Sequence, residues 1–151
     1  MKFGYKVEID SYCDHYDYPE EEYGSWSASY TNYFKKVTKT KHYPDVVSDI
    51  DFQVGQKCFL VWIEWSSGNS FGYSDRCSTE AIGIFKDEQS ARELVKAIED
   101  SSVQYDAETD SRYRFYCKTS DGQEFEYGFA PWFGYFERLD EVHLERIIIE
   151  K

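Results

Sequence analysis

Residues Lys57–Glu99 read KCFLVWIEWSSGNSFGYSDRCSTEAIGIFKDEQSARELVKAIE, and this stretch decides the fold class. In Lys57–Trp65, alternation puts Phe59, Val61, Ile63 and Trp65 on one face and Leu60, Trp62 and Glu64 on the other. A strand that is apolar on most of both faces belongs in a sheet interior, covered from two sides. The small-residue run Ser66–Ser78 predicts a long loop, and Ala81–Phe85 a returning strand. Asp87 is placed to cap a helix over Glu88–Glu99, where Ala91, Leu94, Val95, Ala97 and Ile98 recur at helical spacing. The unit is therefore strand, loop, strand, helix, and the helix must bury its apolar stripe against the sheet.

Working outward, Lys2–Asp10 alternates Phe3, Tyr5, Val7 and Ile9 against Lys2, Lys6, Glu8 and Asp10, a half-buried strand. Ser11–Gly24 (SYCDHYDYPEEEYG) reads as an aromatic and acidic loop broken by Pro19 and Gly24. Two readings stand for it: a solvated connector, or an arm whose carboxylates imitate phosphates. Ser25–Thr38 predicts a second strand pairing with the first and running into Lys35, Lys36, Lys39 and Lys41. Those lysines suit either an exposed sheet edge, where they discourage unwanted pairing, or salt contacts with the acidic loop. Tyr43–Val54 predicts a short helical turn or an irregular crossing, and Ser101–Asp110 a polar surface loop. Ser120-Asp121-Gly122 between Tyr113–Thr119 and Glu124–Phe129 is a strong hairpin signal. Leu139–Glu150 is expected to open as a helical turn and close as a strand, because three consecutive isoleucines favour extended backbone. No repeat or linker divides residues 1–151, so one α+β domain is expected: a mainly antiparallel β-sheet of about five to seven strands with one principal helix, about 87–99, packed on a face.

The formal net charge of −12 disfavours direct nucleic-acid binding, since such a surface repels phosphates. It favours a basic partner, such as a protein that itself holds nucleic acid. Aromatic residues are 19% of the chain, with 14 Tyr and 11 Phe. Tyrosine suits strands with one wet face and also supplies recognition surfaces. Cys13, Cys58, Cys77 and Cys117 form no CxxC pair, so no zinc or redox motif is expected, and Cys58 and Cys117 read as buried thiols. His15, His42 and His143 lie in unrelated segments, and none falls at ligand spacing with a Cys or another His, so no metal site is expected unless the tertiary fold makes one. Cys13 beside His15 is a poor nucleophile, because neighbouring carboxylates discourage the thiolate. No enzyme and no cofactor are expected. No apolar run reaches about 18 residues and no signal-peptide core opens the chain, so no membrane partner and a cytoplasmic location are expected.

Val61–Phe85 (VWIEWSSGNSFGYSDRCSTEAIGIF), followed by KDEQSARELVKAIE, resembles small acidic accessory proteins of bacteriophages and other mobile elements. The resemblance implies an anti-defence role of the anti-CRISPR or anti-restriction type, exercised in the host cytosol. From the residues themselves, the leading expectation is a non-enzymatic inhibitor that presents Tyr12, Asp14, Tyr16, Asp17, Tyr18, Glu20, Glu21 and Glu22 to a basic host protein that handles nucleic acid. Carboxylates would stand in for phosphates and rings would supply contact area. A second acidic run lies at Glu99–Asp110. The alternative is a nucleotide or small-ligand module on Ser66–Arg76, with Trp65, Ser67, Asn69, Phe71, Tyr73 and Arg76 as ligand contacts; resemblance to sponge proteins implies the same. Loop amides would cradle a phosphate, and rings would stack a base. A homodimer through an exposed sheet edge suits any of these readings.

Overall fold

A computed structural model describes residues 2–17, 27–69, 74–103, 113–129 and 135–151, with side chains described for 2–10, 33–64, 79–100, 116–126 and 141–151. The elements are β1 (Phe3–Asp17), β2 (Ser27–Thr40), β3 (Val46–Ser48), β4 (Lys57–Asn69), β5 (Ser74–Phe85), α1 (Glu88–Val103), β6 (Tyr113–Lys118), β7 (Glu124–Phe129) and β8 (Tyr135–Glu150). Six strands form one sheet in the order β3-β1-β2-β8-β4-β5, and β6 and β7 form a separate hairpin. The large sheet is mixed: β2 and β8 run parallel at Val37↔Ile149 and Thr38↔Glu150, and the other pairings are antiparallel. It curls until its edge strands β3 and β5 lie against each other, which makes it nearly a barrel.

β4 is interior, as its sequence predicts. Leu60, Val61, Trp62 and Ile63 are all buried. Cys58, Leu60 and Trp62 point into the barrel, where they meet Tyr5, Val37, Val46, Phe52, Ile84, Ile147 and Ile149. Val61 and Ile63 point outward into a second core with Phe85, Ala91, Leu94, Ile98 and Cys117. The helix and the β6–β7 hairpin thus cover one outer face of the sheet. Helix α1 starts where expected, with the Asp87 carboxylate accepting from the Ser90 amide at 2.8 Å, and runs one turn beyond the expected end, to Val103.

Several boundaries differ from the sequence reading. The expected loop at Ser11–Gly24 is strand as far as Asp17, in antiparallel register with β2. The expected loop at Ser66–Ser78 is largely paired strand: Ser66 faces Cys77, Ser67 faces Arg76 and Gly68 faces Ser74. Small polar residues have weak strand preference alone, but here β4 is also laddered to β8 from Lys57 to Asn69, and that neighbour decides the conformation. Leu139–Glu150 contains no helical turn, because all of it belongs to β8. The Tyr43–Val54 crossing holds the short strand β3, paired to β1. The Tyr5 hydroxyl pins this crossing: it donates to the Ile50 carbonyl at 2.6 Å and accepts from the Phe52 amide at 2.8 Å.

The hairpin forms where Ser120-Asp121-Gly122 predicts it, with Gly122 at φ 89°, a conformation glycine adopts without strain. Its Gln123 is buried and spans the barrel seam. The Ser48 hydroxyl of β3 donates to Gln123 Oε1 at 3.2 Å, and Gln123 Nε2 donates to the Ile84 carbonyl of β5 at 3.1 Å. One side chain therefore ties the two edge strands together.

Candidate functional site

The inward face of the β4–β8 pair changes character along its length. Starting from the apolar end, the cross-strand pairs are Cys58↔Ile147, Leu60↔Glu145, Trp62↔His143 and Glu64↔Glu141. One end of the barrel interior is aliphatic; the other carries an imidazole and carboxylates. Glu64 and Glu141 sit directly opposite, an arrangement that repels when both are charged. Both carboxylates turn to one atom, His143 Nε2, which lies 2.6 Å from Glu64 Oε2 and 3.5 Å from Glu141 Oε2.

Trp62 holds the imidazole in place. The two rings stack with centroids 4.0 Å apart and planes 16° from parallel. The indole Nε1 of Trp62 is buried and has no hydrogen-bond partner among the described residues, which is uncommon for a buried donor. Access to the cluster is graded: the side chains of Glu64, His143 and Glu141 are 16%, 25% and 66% exposed. The cluster is thus half-buried and opens to solvent on the Glu141 side. The ring nitrogen Nε2 faces the two carboxylates.

Sequence reading placed Glu64 on the same face as Leu60 and Trp62 but attached no role to it. It also missed Glu141 and His143, because a helical turn at Leu139 hides the two-residue spacing that puts both on one strand face. That period-2 spacing was the available signal.

The expected partner-binding residues divide. Tyr12, Asp14, Tyr16 and Asp17 belong to the distal half of β1, with Asp14 at a bulge between Cys13 and His15. Tyr18, Glu20, Glu21 and Glu22 lie outside the described residues. Among the expected ligand contacts, Trp65, Ser67 and Asn69 belong to β4 and Arg76 to β5, while Phe71 and Tyr73 lie outside the described residues. The backbone of Ser66–Gly68 is engaged in ladders with both β5 and β8, while residues 70–73, which hold most of the expected phosphate cradle, lie outside the described residues.

The lysines of β2 meet acids rather than solvent alone. Lys35 pairs with Asp10 at 3.2 Å and Lys36 with Glu8 at 4.0 Å, both on β1, while Lys39 pairs with Asp51. That hydrogen bond, foremost, holds the Asp51 carboxyl below its ordinary value. A cleft is lined by Lys2, Phe3, Lys39, Lys41, Pro44 and Asp51, and its Lys2 and Lys39 pair with Asp49 and Asp51. Cys58 and Cys117 are buried free thiols, as their strand contexts predict. Burial pushes the Cys58 thiol up to about 12, which makes it inert. Among the described residues no helix is long and apolar enough to cross a membrane.

No family model matches the chain, and neither a curated protein nor a solved structure matches it.

Proposed function

We propose that this chain is a non-enzymatic binding protein, an inhibitor of the phage anti-defence type. It engages a basic host protein that handles nucleic acid through an acidic, tyrosine-rich surface centred on Tyr12–Glu22. The observation that carries the reading is the charge: 29 acidic against 17 basic residues. Pairing of the β2 lysines with Glu8, Asp10 and Asp51 consumes much of the cationic side chain in the proximal half of the β1–β2 ribbon. Asp14 and Asp17 stand farther along β1, three residues apart, and add negative charge to the distal half of the ribbon.

The test is capture from a bacterial lysate on immobilised protein at about 50 mM and about 300 mM salt, which bracket strong and weak screening. The expected prey is a basic nucleic-acid enzyme held at the lower salt and displaced by a DNA duplex. Reversal of Asp17, Glu20, Glu21 and Glu22 to Lys is expected to abolish capture. Binding that survives both the salt and the reversal rejects the acidic arm as the contact.

A further inference from the structure

We propose that Glu64, Glu141 and His143 form a site for one divalent first-row transition ion, of the zinc or manganese class. This is independent of the partner reading above. Three observations carry it. First, the donor set is one imidazole nitrogen and two carboxylate oxygens, all within 4.8 Å of one another, a set suited to hard-to-borderline divalent ions. Second, both carboxylates converge on the same nitrogen, at 2.6 and 3.5 Å. Metal–ligand bonds of about 2.0–2.2 Å put adjacent donors about 3.0–3.4 Å apart at ordinary coordination angles. The two observed distances bracket that range.

Third, the buried Trp62 indole N–H has no acceptor among the described residues, and its ring lies against the ligand imidazole. An open coordination position, as three-ligand sites retain, can hold a water, the kind of acceptor that this N–H lacks among the described residues. The framework suits the task. Glu64 and His143 stand on the β4 and β8 ladders, and stacking on Trp62 fixes the imidazole plane, so the donors are held by rigid elements. Glu141 lies on the solvent side and gives the ion an entry path.

The experiment is titration of the metal-stripped full chain with Co2+, read by visible absorption, with Zn2+ as competitor. The expected result is a single equivalent, displaced by Zn2+, with ligand-field bands of a nitrogen–oxygen site and no thiolate charge-transfer band. Glu141→Gln, at a largely exposed side chain, and His143→Gln are each expected to weaken binding at least about tenfold, with circular dichroism confirming the fold. Wild-type affinity in either folded variant overturns the proposal. So does a thiolate band, or only weak binding of several equivalents, which is what scattered surface carboxylates give.

Discussion

A single thiol shows how burial reaches chemistry. Cys58 is buried on the inward face of β4, and burial alone raises its pKa from 9.0 to about 12. The neutral thiol is the form the folded state prefers. The associated stability is therefore complete below the ordinary value of 9.0 and is lost as pH rises towards about 12. At about pH 10, where an unfolded thiol is mostly ionised, native Cys58 is expected to resist iodoacetamide while the urea-unfolded chain is labelled. Mass spectrometry of the Cys58 peptide decides it, and rapid labelling in the native state would contradict the burial argument. Trp62, four residues along the same face, was legible from alternation. Its stacking on His143 was not, because that contact depends on the register of a strand about 80 residues away.

Among the elements, the β6–β7 hairpin does more than cover the helix. Its turn docks on α1, where Ser120 donates its amide to Glu93 at 3.1 Å and its hydroxyl to the same carboxylate. Its Gln123 joins β3 to β5. Replacing Gln123 by Leu leaves the buried Ile84 carbonyl and Ser48 hydroxyl short of a partner and is expected to cost about 1–3 kcal/mol, read by urea unfolding. An unchanged midpoint would mean that the seam is held by apolar contact alone. On the same hairpin, Phe125 lies over Gly83, where an added Cβ would come within 2.7 Å of the ring. Gly83→Ala is expected to destabilise by about 1–3 kcal/mol through overpacking. The hairpin itself was legible from Asp121-Gly122, because a tight turn is a local matter. Its docking site was not, because Gln123 looks like any polar turn residue in sequence.

At the scale of the whole molecule, charge dominates. The ion pairs Lys2–Asp49, Lys35–Asp10 and Lys96–Asp100 are exposed and individually weak, and the formal excess of 12 negative charges remains. Self-repulsion of that size opposes the compact state. Raising salt to about 0.15 M shortens the screening length to about 8 Å and is expected to raise the melting temperature, measured by calorimetry. A fall in melting temperature would show that surface pairs outweigh the repulsion. Salt thus acts in opposite directions on the two properties: it steadies the fold and weakens the proposed partner contact.

The residues of Lys57–Glu99 determined by themselves that β4 is buried on both faces and that a capped helix follows β5. Both are short-range consequences of side-chain period and capping chemistry. The alternating Lys2–Asp10 and the Asp-Gly turn belong to the same class. Only the tertiary structure decided that Ser66–Asn69 and Leu139–Arg146 are strand, since ladder bonds from a distant partner override weak local preference. It also decided that β2 and β8 meet in parallel and that the sheet curls until β3 reaches β5. The convergence of Glu64, Glu141 and His143 on one nitrogen follows from the β4–β8 register, which no local pattern in either strand encodes.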